Sequence, residues 1–181
     1  MRVVCACIMA ICLGGSSAQA TTLVPADLGE LSRDAVAIAR GRVTAVVGQW
    51  TADHRTIETM VSLQVDEYLK GSFGPALSFR VPGGRLGRYR SVFVGAPEFA
   101  VDQQVVVFLG ARGPSVPFVL GLSQGVFRVT PTAGGSGWTV TPPALMPAAS
   151  TTRLVRGDVA RRAMALADFE QHVRALIGGA K

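Results

Sequence analysis

The chain has few of the residues that most often carry redox or metal chemistry. Its three cysteines, Cys5, Cys7 and Cys12, lie within the first twelve residues, and its two histidines are His54 and His172. The histidines are far apart and lack the short spacing of zinc-binding sites. We therefore expect no metal site and no cofactor. Beyond residue 12 the sequence also excludes a disulfide framework and a thiol nucleophile.

Long hydrophobic runs are equally scarce. The run from Val3 to Leu13 has eleven residues, whereas a membrane-spanning helix needs about 20. Arg2 precedes this run, and Ala18-Gln19-Ala20 follows it as a small-x-small cleavage site. The pattern predicts a signal peptide over residues 1–20 rather than a membrane anchor. We expect a secreted or periplasmic mature chain that begins at Thr21 and has no transmembrane segment.

Lysine is nearly absent, because only Lys70 and Lys181 are lysines, and the other basic residues are arginines. The formal net charge is +6, and loss of Arg2 with the leader lowers it to +5. Arginine forms bidentate pairs with carboxylate and phosphate groups, so an acidic partner is one interpretation. The other is that genome composition alone favours arginine. Nucleic acid is not the expected partner of an exported protein.

The strongest structural signal runs from Thr56 to Val81. Apolar side chains take alternate positions in its first part: Ile57, Thr59, Val61, Leu63 and Val65. Because successive strand residues point to opposite faces, this alternation predicts a long strand with one apolar face. Lys70-Gly71 and Gly74-Pro75 then interrupt the chain, and residues 76–81 form a second expected strand. By the same rule, the adjacent Asp66 and Glu67 should point to opposite faces and cannot form a catalytic pair.

Further short strands, separated by turn residues, are expected at 35–47, 91–94, 105–109, 116–120, 126–129 and 138–140. Gly41 should form a bulge or a bend in the first of them, and the continuous apolar run at 105–109 suits a strand buried on both faces. The sequence therefore predicts a mainly β fold, a small OB-like β-barrel, as a single domain over residues 21–181. Residues 142–152, rich in Pro, Ala and Thr, should form a flexible loop.

Two helices complete the prediction. A short N-terminal helix is expected at residues 25–31, where Asp27 can cap it and Glu30 stands at the capping-box position. A C-terminal amphipathic helix is expected at residues 168–177, with Asp168 as its N-cap. Its apolar stripe consists of Phe169, Val173, Leu176 and Ile177.

Three stretches carry a family resemblance: Ala39 to Val43, the run from Val61 that ends in Leu69-Lys70-Gly71, and Phe99 to Leu109. Together they resemble the netrin/tissue-inhibitor-of-metalloproteinase type of OB-like barrel, in the form found in uncharacterised exported bacterial proteins. The resemblance covers roughly residues 35–109 and implies a barrel with a non-enzymatic role. The inhibitor members chelate zinc through an N-terminal cysteine. Since the expected mature chain begins at Thr21, the resemblance does not imply inhibition of metalloproteinases.

A cluster of arginines around one tyrosine is the candidate ligand-binding site, and its members are Arg80, Arg85, Arg88, Tyr89 and Arg90. Most of them fall in the glycine-rich stretch at 82–90, which we expect to be an exposed loop. OB-like barrels bind oligosaccharides across a strand face and the adjoining loops. The expected function is therefore a non-catalytic binding or interaction module, whose partner is a protein or an acidic glycan of the cell envelope. The alternative is a solvated basic face without a ligand.

One motif points to an enzyme instead. Gly121-Leu122-Ser123-Gln124-Gly125 matches G-x-S-x-G, the nucleophile elbow of hydrolases, which requires a strand before the serine and a helix after it. A periplasmic serine hydrolase using Ser123, Asp158 and His172 is the alternative function. Because a strand is expected after Gly125, we interpret the motif as a connection between strands.

Overall fold

The computed structural model describes residues 26–113, 115–143 and 162–179. The fold is mainly β, as predicted. The elements are α1 Leu28–Asp34, β1 Ala37–Trp50, β2 Ile57–Lys70, β3 Ala76–Pro82, β4 Gly84–Leu86, β5 Tyr89–Ser91, β6 Gln104–Gly110, β7 Phe118–Val119, β8 Val126–Pro131, β9 Trp138–Thr141, β10 Met164–Ala165 and α2 Leu166–Gly178. The predicted signal peptide, Thr21 and most of the predicted 142–152 loop lie outside the described residues.

Five strands close into a barrel, as the OB-like prediction required. The long strands β1 and β2 pair antiparallel, β2 pairs with β3, and β1 pairs along its other edge with β6. The short strand β7 completes the ring, because it is antiparallel to β6 and parallel to β3 at Arg80 and Phe118. The resulting order, β1-β2-β3-β7-β6, leaves the apolar faces of the strands to fill the interior.

Strand β6 is buried on both faces, which confirms the interpretation of its apolar run. Val105, Val107 and Leu109 point into the barrel core, whereas Val106 and Phe108 belong to a second cluster outside it, which we call the outer core. The second edge of β6, opposite to its pairing with β1, is divided between two partners. Residues 109–110 pair with β7 and residues 104–107 pair with β8, which begins a sheet extension through β9 to β10.

Both helices cover the outer core. The stripe predicted for α2 is confirmed: Phe169 and Val173 are buried, and Leu176 and Ile177 pack beside them. Phe127 of β8 joins the sheet to this helix, since its ring lies 4.9 Å from that of Phe169. None of the helices within the described residues is both long and apolar enough to cross a membrane.

Several predicted boundaries were wrong. The strand expected at 91–94 is β5, and it ends at Ser91. The strand expected at 116–120 is reduced to Phe118–Val119. Helix α2 begins earlier than predicted, with Ala165 rather than Asp168 at its N-cap, because β10 leads directly into it. Helix α1 does have the predicted capping box of Asp27 and Glu30.

The prediction that Asp66 and Glu67 point to opposite faces was also wrong. The register of β1 and β2 shifts between Arg40 and Gly41, so Asp66 is an extra residue in β2. A bulge of this kind re-aims the side chains beside it. Both carboxylates therefore reach Arg40: Glu67 Oε2 accepts from Nη2 at 3.1 Å, and Asp66 Oδ2 accepts from Nη1 at 3.4 Å.

Arg40 is the centre of a charge network that ties helix α2 to the barrel. Its Nε donates to Glu170 Oε1 of α2 at 2.8 Å, and Arg174 of the same helix contacts Glu67. Burial, the largest single influence, lowers the pKa of Arg40, but the hydrogen bond to Glu67 and the charge of Glu170 together raise this pKa above its ordinary value. The Arg40 guanidinium therefore stays protonated in the folded protein.

The Leu69-Lys70-Gly71 motif joins β2 to helix α1. Lys70 Nζ donates to the backbone carbonyls of Ser32 and Arg33 at 2.8 Å each, where α1 leaves its last carbonyls unpaired. Gly71 follows in the left-handed region with a φ of +63°. A Cβ on Gly71 would lie 2.2 Å from the carbonyl oxygen of Val36, so only glycine fits at this position.

We expect Arg40→Met to lower the free energy of unfolding by about 2–3 kcal/mol, because Asp66 loses its ion pair while Glu67 and Glu170 keep only Arg174, which is more exposed than Arg40. Glu170→Gln should cost about 1 kcal/mol, and the double variant should cost less than the sum of the two. Urea unfolding measures all three. Arg42→Met, which loses only an exposed contact to Gln64, is the matched control. Equal losses for Arg40 and Arg42 would contradict the role of the network.

Gly71→Ala should destabilise the protein by at least about 2 kcal/mol more than Gly74→Ala. Both glycines have positive φ angles, but a Cβ on Gly74 would have nothing within 4 Å. The pair therefore separates the steric clash with Val36 from backbone strain, which both variants share. Denaturant unfolding of the two variants gives the difference, and similar values would show that the close approach of Gly71 to β1 is not required.

Candidate functional site

The glycine-rich stretch that was expected to be a loop is a two-stranded hairpin, β4–β5, folded against the β1–β2 pair. Gly83 N–H donates to the carbonyl of Ile57 at 3.0 Å, and the Thr59 hydroxyl donates to the carbonyl of Gly83 at 2.7 Å. On β1, a Cβ at Gly48 would lie 2.0 Å from the carbonyl oxygen of Arg85. The absence of a side chain at Gly48 thus lets β4 lie directly on the barrel wall.

A cleft of about 310 Å³ lies between this hairpin, the end of the barrel and the chain that follows β5. Its lining includes Val46, Thr59, Arg85, Arg90, Phe93 and Glu98. Phe99, also in the lining, packs edge-on against Phe79 of the barrel core, with ring centroids 5.4 Å apart. The lining therefore combines apolar side chains with two arginines and one glutamate.

Arg85 and Arg90 are cross-strand partners in this hairpin and both line the cleft. Like charges directly opposite each other on a β-ladder destabilise it. Among the residues that the structure describes, neither arginine has a carboxylate within ion-pairing distance, in contrast to Arg40 and Arg174. Both arginines are therefore without an ion pair in the described part of the chain, and Glu98 is the carboxylate that shares the cleft lining with them.

The turn of the hairpin carries Arg88 and Tyr89 beside Trp50, the last residue of β1. The Tyr89 and Trp50 rings lie 5.6 Å apart and are tilted by 58°. The Arg88 guanidinium lies 5.0 Å from the centre of the Tyr89 ring, and its Nη2 donates to the Tyr89 hydroxyl at 2.9 Å. Both rings are exposed at the end of the hairpin, and neither of them is among the residues that line the cleft.

Sequence reasoning missed Trp50, because the first strand was predicted to end at residue 47, before this position. The alternation of β1 could have indicated the residue, since Trp50 continues the series Val46, Gly48, Trp50 to the end of the strand. Arg80, in contrast, was predicted to belong to the site but lies outside it. It lies in β3 between the inward-facing Phe79 and Val81 and does not line the cleft. The structure thus brings together four of the five predicted site residues: Arg85, Arg88, Tyr89 and Arg90.

Ser123 lies in a 3-10 helix, Leu122–Gly125, which leads into strand β8. A nucleophile elbow requires a helix after the serine, and here a strand follows. The backbone N–H of Ser123 donates to the carbonyl of Gly95 at 2.9 Å, so the motif anchors a loop. Of the predicted partners, His172 is exposed on α2, and Asp158 lies outside the described residues.

The other histidine, His54, is exposed in the turn between β1 and β2. Hydrogen bonds from the Thr51 hydroxyl and the Arg55 N–H lower the pKa of Asp53 in this turn below its ordinary value, so this carboxylate is ionised and fixes the turn. In the described part of the chain, no cluster of three or more His, Cys, Asp or Glu side chains could hold a metal ion.

Comparison with known proteins adds no identification. No family model matches the chain, and neither the curated proteins nor the solved structures yield a match. The resemblance to the netrin type of barrel therefore stays a prediction.

We expect Gly48→Ala to displace β4 from β1 and to separate Tyr89 from Trp50, because the added Cβ would overlap the Arg85 carbonyl. Trp50 fluorescence, measured in a Trp138→Phe background, should shift toward the emission of a solvated indole. Gly135→Ala is the matched control, since a Cβ there has its nearest neighbour 3.8 Å away. An unchanged spectrum for Gly48→Ala would contradict the packing of the hairpin on β1.

Proposed function

We propose that this protein is a non-catalytic binding module that acts after export and holds an acidic glycan on its hairpin. We define the hairpin surface as Trp50, Arg85, Arg88, Tyr89 and Arg90. The observation that carries the proposal is the cross-strand pair of Arg85 and Arg90. Two arginines that face each other without a carboxylate partner are stabilised when an anion lies between them.

The chemistry of the hairpin surface suits a charged sugar. Guanidinium groups bind the carboxylates or sulfates of acidic sugars through paired hydrogen bonds. The exposed rings of Trp50 and Tyr89 offer apolar surface against which the face of a sugar ring can pack. The cleft volume is near the lower limit for small-molecule sites, about 300 Å³, so it suits one sugar ring at a time.

The position of the surface on the barrel also supports the proposal. OB-like barrels bind oligosaccharides across the face of their second and third strands and the adjoining loops. The cleft is lined by Thr59 of β2 and Val81 of β3, and the hairpin continues from β3. Export rests on the predicted signal peptide at residues 1–20. No observation in the described residues favours the alternative, a serine hydrolase that uses Ser123.

The mature chain should bind a heparin resin in a salt-sensitive way, and Arg85→Ala with Arg88→Ala should weaken binding about tenfold, since two charge-assisted contacts are lost. The matched control is Arg42→Ala with Arg128→Ala, which removes two exposed arginines outside the hairpin. Retention versus salt concentration gives the comparison. Equal losses in the two double variants would reject the hairpin surface as the site.

A second comparison separates a glycan from an acidic protein. Alginate presents carboxylates on sugar rings, whereas polyglutamate presents them on a flexible peptide. We expect tighter binding to alginate, and Tyr89→Ala should remove most of the difference. If polyglutamate binds equally well and Tyr89→Ala has no effect, the ligand is an acidic protein segment and the glycan proposal is wrong.

A further inference from the structure

Directly after β5, three consecutive apolar side chains point into solvent. Val92 is 72% exposed, Phe93 is 53% exposed and Val94 is 70% exposed. We call these three residues the apolar tip. Single exposed apolar residues are normal on protein surfaces, and Val36, Phe73 and Trp138 are examples here. Three consecutive exposed apolar side chains instead form a contiguous patch, which is the kind of surface that proteins use to contact a partner or a membrane.

The apolar tip is held in one conformation. Ala96 N–H donates to the carbonyl of Phe93 at 3.1 Å, which closes a four-residue turn. Gly95 has a φ of +82°, the value that the third position of a type II turn requires. The carbonyl of Gly95 also accepts the backbone N–H of Ser123. A turn fixed in this way loses little conformational entropy when it binds a partner.

The apolar tip and the arginines belong to one surface. Val92 and Phe93 line the same cleft as Arg85 and Arg90, and Tyr89 precedes the tip by three positions. An acidic glycan gives the arginines a partner but offers none to two aliphatic side chains. A bilayer surface offers both, because basic side chains meet anionic head groups while apolar and aromatic residues enter the interface beneath them.

We infer that the glycan bound by this protein is carried on a lipid. In this arrangement Arg85 and Arg90 hold the anionic sugar head group of an acidic glycolipid, and Val92, Phe93 and Val94 enter the head-group region of the bilayer around it. The inference rests on the proposed function for the role of the arginines. The apolar tip supplies the independent observation that the ligand is presented at a membrane.

The test is co-sedimentation of the mature chain with phosphatidylcholine vesicles that contain a minor fraction of sulfatide, a sulfated galactosyl lipid. Parallel vesicles contain galactosylceramide, which keeps the sugar without the charge, or phosphatidylglycerol, which keeps the charge without the sugar. We expect the tightest binding to sulfatide. In a Trp138→Phe background, Trp50 emission should shift to shorter wavelength as the surface meets the vesicle.

The decisive variant is Val92→Ser with Val94→Ser. It should bind sulfatide vesicles at least about tenfold more weakly, because two apolar side chains lose their transfer into the interface. Val94 lies outside the cleft lining, so Val94→Ser alone should also weaken vesicle binding while its retention on alginate stays unchanged, which shows that the fold and the arginines are intact. The matched control is Val36→Ser with Phe73→Ser, beside the Ile38–Lys70 end of the β1–β2 pair, opposite to Trp50.

Three outcomes would each contradict a different hypothesis: membrane binding by the apolar tip, recognition of a glycolipid, or glycan binding itself. If the Val92 and Val94 variant binds sulfatide vesicles like the wild type, the membrane inference is wrong and the glycan function stands. If phosphatidylglycerol vesicles bind as tightly as sulfatide vesicles, the ligand is an anionic bilayer without a required sugar, and the glycolipid inference is wrong. If the wild type fails to bind alginate, the proposed function itself fails.

Discussion

Strand β6 is hydrogen-bonded along both edges and buried on both faces, and the two cores of the protein meet at this strand. Its alternate residues fill the barrel core and the outer core, so neither core can form without it. Its second edge is divided between β7, which closes the barrel, and β8, which carries the sheet toward α2. A slip of one residue in β6 would exchange the side chains of both cores at once, which fixes its register strongly.

Two groups of arginines among the described residues differ in how their charge is balanced. Arg40 is partly buried among three carboxylates, and its charge is neutralised by the fold itself. Arg85 and Arg90 face each other at an exposed cleft without a carboxylate partner among the described residues. The first group contributes to the packing of α2 on the barrel. The second has no carboxylate partner in the described residues, which is why the proposed function rests on it.

The G-x-S-x-G motif illustrates how a local pattern can serve a structural purpose. Gly121 and Gly125 bracket a single turn of 3-10 helix, and the N–H of Ser123 holds the carbonyl of Gly95. This one hydrogen bond attaches the turn that contains Gly95 to the start of the 3-10 helix. In hydrolases this motif lies between a strand and a helix, and the serine stands at the N-terminus of that helix. Here a strand follows the motif, so the serine is not presented in that way.

The sequence by itself determined the fold class, the long β1–β2–β3 meander, the doubly buried β6 and the apolar stripe of α2, because these follow from side-chain periodicity along one segment. It also identified four of the residues that lie together on the hairpin. Only the tertiary structure decided how strands distant in sequence close the ring through a parallel contact of β3 with β7. Only the structure joined Trp50 to Tyr89, separated Arg80 from the other arginines and turned Asp66 toward Arg40. Each of these depends on a register, a bulge or a crossing between segments far apart in the chain, and periodicity within one segment carries no information about such pairings.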